Sequence, residues 1–177
     1  MSHFEQEIIS SRLMLRALSL EDSNLIVSWR NNKEIKDFSF SKEEITLEGH
    51  RDWFKKTRNI RLDYLFLELQ NLEPIGLVSL QKNKYDDQLR SYELSKYIGN
   101  KKYLGKGYAL EATEALINYA FTNINVDYVF AVTRSDNKSN IKLNTKLGFK
   151  VQGLPDFMDY NESLWTYMRK DNHENKR

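Results

Sequence analysis

Cysteine is absent from this 177-residue chain. Its absence excludes a disulfide framework, a thiolate nucleophile and any Cys-ligated metal. It also matches the usage of intracellular proteins, so a cytoplasmic location is expected. Histidine is scarce: His3, His50 and His173 are too few and too scattered for a ligand cluster, and no metal is expected. Proline occurs twice and glycine seven times, which leaves no material for a long linker or a low-complexity tract. There is no internal repeat. No apolar run reaches about 18 residues, so no membrane partner is expected, and the opening MSHFEQEIISSR lacks the apolar core of a signal peptide. Charge of one sign is lacking too. With 27 basic and 25 acidic residues the net charge is +2, too weak to argue for a nucleic-acid partner. It still permits a local basic site, and NKKYLGKG is one.

What remains is an ordinary globular mix, 40% hydrophobic and 29% charged. The length suits one domain, read here as 1–170, followed by a polar tail over 171–177. In SRLMLRALS, Leu13, Leu15 and Ala17 alternate against Arg12, Met14 and Arg16, a strand with one buried face. Ser19 with Asp22 forms a capped helix start, and Leu20, Leu25, Ile26 and Trp29 follow at helical spacing. NNKEIKDFSFSKEE reads as a polar connection. A second helix starts near Ser41 or Thr46, with Ile45, Trp53 and Phe54 on its apolar side. YLFLELQ and PIGLVSLQ form a hairpin, and RSYELSKYIG is a third strand in which Tyr92, Leu94 and Tyr97 are set against Glu93 and Ser95. YALEATEALINYAFT is a strongly amphipathic helix and DYVFAVTR a strand. DNKSNIKLNTKLGF is a short helix with Gly148 as its C′ residue and Phe149 packing back. ESLWTYMRK closes as a strand. The order is mixed α/β with one parallel β-α-β crossover in the second half.

KKYLGKGYALEA places Gly105 and Gly107 where that long helix begins, although each weakens a helix by roughly 1 kcal/mol. A glycine loop delivered to a helix N-terminus offers unpaired amides and a partial positive charge to an anion. Gly105 and Gly107 would donate, while Lys102 and Lys106 add cationic side chains. The same two glycines would equally serve an ordinary turn. A Walker loop is excluded because no Gly-Lys-Ser/Thr ends the run. The Rossmann fingerprint is excluded because Leu110 stands at the third glycine position.

These residues resemble the GCN5-related N-acetyltransferases. Lys102 to Gly107 resembles the acyl-CoA pyrophosphate loop of that family, with Lys102 where Arg or Gln is usual. Asn137 to Phe149, NKSNIKLNTKLGF, resembles its second signature. RLMLRALSLEDSNLIVSWRN resembles the opening of the branch that holds the ribosomal-protein N-terminal acetyltransferases. The resemblance implies a single-domain acyl-CoA N-acyltransferase fold. Its central sheet is mixed, mostly antiparallel and splayed at its two central strands, with about four helices around it. It implies acetyl-CoA as co-substrate. The pantetheine arm would bond to strand backbone near Tyr97 and Ile98. The diphosphate would take the amides from Tyr103 through Leu104, Gly105, Lys106 and Gly107 to Tyr108. Asn137 would contact the pantetheine arm and Asn140 would keep a polar contact to the cofactor.

Amide formation needs a neutral amine, and an alkyl amine with a pKa of roughly 10 is mostly protonated at neutral pH. Glu93, on the strand leading to the loop, is the expected base or relay. The place where many family members carry a Tyr acid for the leaving thiolate is Asn144, which can hydrogen-bond sulfur but cannot deliver a proton. Tyr97, Tyr103 or Tyr108 are the available substitutes. For the acceptor, Arg30, His50 and Trp53 are the expected contacts. SWRNNKEIKDF and HRDWF faintly resemble acetyltransferases of nucleotide-linked amino sugars. The expected reaction is direct attack by a small-molecule amine, such as an amino sugar or polyamine, in a ternary complex. The alternatives are a peptide amine at a protein N-terminus, a catalytically silent CoA sensor, and a phosphate- or RNA-binding domain. A homodimer is left open.

Overall fold

Alternating burial marks an outer strand of the sheet, and burial on both faces marks most of the inner ones. In the strand Leu13–Ala17 (β2, after a two-residue β1, Ile8–Ile9), Leu13 and Leu15 are fully buried while Met14 and Arg16 are only half-buried. β3 (Arg61–Glu68), β4 (Pro74–Lys82), β5 (Ser91–Ile98), β6 (Tyr128–Arg134), β7 (Lys150–Gln152) and β8 (Trp165–Asp171) complete it. The helices are α1 (Ser23–Arg30), α2 (Lys33–Lys36), α3 (Leu47–Thr57), α4 (Tyr108–Asn123) and α5 (Lys138–Lys146). The structure, a computed structural model, describes residues 6–39, 41–84, 89–154 and 165–172. Phe40, the segment 162–164 of the expected last strand, and the 173–177 part of the expected tail lie outside the described residues. Asp171, assigned to that tail, is the last residue of β8 and pairs with Tyr128.

The strand order is β1-β2-β3-β4-β5-β6-β8-β7, antiparallel throughout except where β5 meets β6. This is the mixed, mostly antiparallel sheet expected. α4 is the crossover between the two parallel strands. One face packs Leu80 and Leu94 against Ala112, Leu116 and Ile117 of α4. The other packs Leu65 and Leu77 against Ile26 and Trp29 of α1, with Phe54 of α3 at its margin.

Some local expectations are corrected. α2 forms within the supposed polar connection: Asn32 caps it by accepting from the Glu34 amide, and Ile35 packs on the second core. Of the two starts expected for α3, Thr46 is the one found, capping a helix whose first residue is Leu47. Trp53 does not join the apolar side of α3 and stays 37% exposed. Tyr97 does not share a face with Leu94. The two are an odd number of positions apart, so Leu94 joins the α4 core and Tyr97 the α1 core.

β5 and β6 pair only at Ser91–Tyr128, Tyr92–Val129 and Glu93–Phe130. Beyond Glu93, β5 stays on β4 as far as Ile98, and β6 stays on β8 as far as Arg134. The strands therefore part, and each presents a bare backbone edge to the gap. β5 leaves the sheet over Trp29. A Cβ on Gly99 would lie 1.9 Å from that ring, so only glycine fits there.

Candidate active site

Neighbouring segments build the glycine loop. Asn100 caps a 3₁₀ turn over Lys101–Tyr103, and the chain then bends through Gly105 (φ 73°) and Gly107 (φ 83°) into α4. Those left-handed angles cost other residues roughly 1–2 kcal/mol, which accounts for both glycines. A Cβ on Gly105 would meet nothing within 4 Å. The amides of Tyr103 and Leu104 are not free as expected. They donate to the carbonyls of Asn100 and Lys101, each at 3.1 Å. The amides from Gly105 to Leu110 have no backbone acceptor among the described residues. Glu111 is the first residue of α4 to engage, donating to the Gly107 carbonyl at 3.1 Å. An open run of donors at the positive end of α4, with space before it, fits a diphosphate.

The loop's side chains are committed elsewhere. Lys102 pairs with Glu73, and Lys106 lies 5.9 Å from the Tyr103 ring centroid; neither lines the cleft. Tyr103 shares its hydroxyl between Glu68 and Glu73, each oxygen at 2.9 Å, and Tyr108 donates to Glu68 at 3.3 Å. These bonds fasten the loop to the β3–β4 hairpin. On its other flank Glu111 accepts from the Arg12 amide and Nε, both at 2.7 Å, and from Ser10 at 2.8 Å. Arg12 Nη1 in turn donates to the Lys106 carbonyl at 3.1 Å.

Where β5 leaves β6, a cleft of about 1260 Å³ opens. The loop from Tyr103 to Gly105, together with Gly107 and Tyr108, lines one part of it, and the bare stretch of β5 from Leu94 through Ile98 another. Glu93 and Tyr97 lie on the face of β5 turned toward α1 and α3. Burial raises the Glu93 carboxyl above the usual carboxylate range, with the Arg61 charge opposing it. Burial also pushes the Tyr97 phenol up, and its hydroxyl has no partner among the described residues.

On the α1 and α3 side, Arg30, His50 and Trp53, the residues expected to contact an acceptor, line the cleft. His50 is buried, and neither ring nitrogen finds a partner among the described residues. Burial lowers its pKa, so the ring is neutral at pH 7. Its centroid is 5.5 Å from that of Trp53. Arg61 and Asp63, which sequence reading missed, form a largely buried pair at 2.9 Å, and the Arg61 guanidinium lies over the Trp53 ring.

From α5, Asn137 and Asn140 line the cleft. Asn137 caps the helix by accepting from the Asn140 amide at 3.2 Å, and the Asn140 side chain donates to Thr133 at 3.0 Å. Asn144 does not line the cleft. It is fully buried, and its Oδ1 accepts a 2.6 Å hydrogen bond from Lys96, which does line it. Lys96 too was missed. Burial brings its ammonium down to about 7. Among the described residues no cluster of ligands could hold a metal ion, and no helix is long and apolar enough to cross a membrane.

Residues 12–150 match the model of the acetyltransferase (GNAT) domain. Spermidine N(1)-acetyltransferase of Escherichia coli (strain K12) is 25% identical over 139 residues, 78% of this chain and 73% of the relative. The crystal structure of spermidine N-acetyltransferase from Vibrio cholerae in complex with CoA and spermine superposes with a TM-score of 0.81 at 22% identity, over 95% of this chain and all of that one. Ribosomal-protein-S5-alanine acetyltransferase from Vibrio fischeri superposes at 0.77 and 17% identity, over 98% of this chain and all of that one. At those identities the two structures speak for the fold.

Proposed function

The chain belongs to the GNAT acetyltransferase family and is an N-acetyltransferase; within that family we propose that it takes acetyl-CoA as donor and a small-molecule primary amine as acceptor. One observation carries the donor assignment: the unpaired amides from Gly105 to Leu110 open onto the same cleft as the bare edge of β5. An anion cradle beside a free strand edge suits a ligand with a diphosphate at one end and amides along its arm. Gly105 to Tyr108 hold the diphosphate, while Tyr97 and Ile98 offer backbone to the arm. Asn137 and Asn140 form the opposite wall.

The acceptor enters between α3 and β5. Glu93 takes the proton that the attacking nitrogen sheds, directly or through water. Its raised pKa makes it a better base near neutrality than an ordinary carboxylate. Trp53, His50 and Arg30 shape the amine's pocket, and a polyamine or an amino sugar fits their mixture of aromatic and polar surface.

Calorimetry with CoA, followed by a thiol-release screen with acetyl-CoA, tests this reading. The acceptors are polyamines, aminoglycosides, amino sugars and N-terminal peptides. CoA binding and turnover of a small amine are expected. Gly105→Glu sets a negative charge before the cradle and should weaken CoA binding roughly a hundredfold. Gly105→Ala, which shares only the backbone strain, should weaken it far less. Equal affinity in Gly105→Glu and wild type would remove the loop from donor binding, and turnover of peptides alone would move the acceptor to a protein terminus.

A further inference from the structure

β5 turns two ionisable side chains to opposite sides of the open seam. Glu93 faces the acceptor side with Tyr97, and Lys96 faces the α4 and α5 side with Leu94 and Ile98. Lys96 lies past the last β5–β6 pair, in the bare stretch of strand that lines the cleft. Its Nζ donates to Asn144 Oδ1 at 2.6 Å, and among the described residues no carboxylate pairs with it. Its pairing position on β4 is the apolar Val78. Lys142 and Lys146 of α5 and Tyr108 of α4 line the same cleft, and Glu93 and Tyr97 line it from the reverse face of β5. An isolated ammonium in such a place is costly, so a use for its proton is the natural question.

Two of the tyrosines considered as acids are occupied, and the third lies on the opposite face of β5 from Lys96. The Tyr103 and Tyr108 hydroxyls are held by Glu68 and Glu73, and Tyr97 points away from α5. We propose that the Lys96 ammonium donates the proton to the departing sulfur of the acyl donor, with Asn144 as the positioning residue that aims it. This rests on the acetyl-CoA reading of the cleft. The amine nitrogen forms its bond to the carbonyl carbon, the carbon–sulfur bond breaks, and its electron pair goes to sulfur. Lys96 passes one proton to that sulfur and is left as a neutral amine beside a free thiol. The proton shed by the attacking nitrogen goes to Glu93. Exchange with solvent restores both groups. Burial makes the Lys96 ammonium a stronger acid than an ordinary lysine, which favours transfer to a departing thiolate.

The test uses the full chain. The Lys96 side-chain resonance, assigned by its loss in Lys96→Met, is titrated alone, with CoA and with desulfo-CoA. CoA is expected to change its proton affinity by roughly tenfold or more, and desulfo-CoA to leave it near the unliganded value. Identical titrations with the two ligands overturn the proposal and spare the acetyl-CoA reading; failure of both to bind overturns the two together. With the fastest amine from the screen, Lys96→Met should lower kcat roughly a hundredfold or more, while its CoA Kd shifts only by about the factor through which CoA moves the Lys96 titration. In wild type the rate should fall as pH rises through about 7. Asn144→Asp should move that fall upward, because a carboxylate holds the proton more firmly. A wild-type rate in Lys96→Met, or an alkaline fall that Asn144→Asp leaves in place, counts against the assignment. The resonance decides the matter whichever amine is used.

Discussion

Glu93, the proposed base, ties the stability of the fold to pH. Its folded pKa is raised, so the native state binds a proton more tightly than the unfolded chain does. Its contribution to stability is therefore greatest in acid and falls as pH rises from the ordinary carboxylate range through the raised value. Glu93→Gln keeps the shape and removes that loss. The variant should melt at or above wild type at pH 7, with the gap closing toward pH 4, which a thermal series across pH measures. Turnover should move the other way, falling roughly a hundredfold with loss of the acid limb of the rate profile. A wild-type rate across pH would take Glu93 out of the proton path. Lys96 carries the mirror-image sign. Its folded pKa of about 7 lies below the lysine reference, so it destabilises the fold most in acid and is relieved as pH climbs from about 7 toward 10.5.

At the scale of elements, the exit of β5 makes the sharpest prediction. Gly99 lies under the Trp29 ring, and both belong to the layer that covers the acceptor side. Gly99→Ala forces the indole aside and should cost roughly 1–3 kcal/mol, read as a lower denaturant midpoint at unchanged slope. The same elements show what the sequence could tell. The alternation in β2, the helical spacing in α4 and Gly148 with Phe149 after α5 are local patterns. Each was legible because it depends on a few neighbouring residues; Gly148 has a φ of 84° and Phe149 is buried, as the C′ reading requires. α2 was not legible because its single apolar residue, Ile35, gives no period. The brace between Arg12 and Glu111 spans 99 positions and leaves no local trace. Lys96 looked like any lysine on a strand. Only the parting of β5 from β6, a tertiary event, encloses its charge, and only the fold brings Asn144 to it.

For the whole molecule, the decisive feature is the short ladder between β5 and β6. Three residue pairs join the two halves of the sheet, reinforced at one end by Arg90 and Asp127. With CoA in the gap, amide hydrogen exchange should slow within Leu94–Ile98 and from Gly105 to Leu110, while β2 and β3 hold their rates. Unchanged exchange in both segments at saturating CoA would place the ligand elsewhere. A donor molecule lodged in the seam, as proposed, would also act as a stitch. At a hundred times its dissociation constant it adds about 2.7 kcal/mol of resistance to opening, which limited proteolysis would register as a slower cut. On the proposed reading, abundance in the cell would then follow metabolic supply, a chain starved of donor being cleared earlier than a well-fed one.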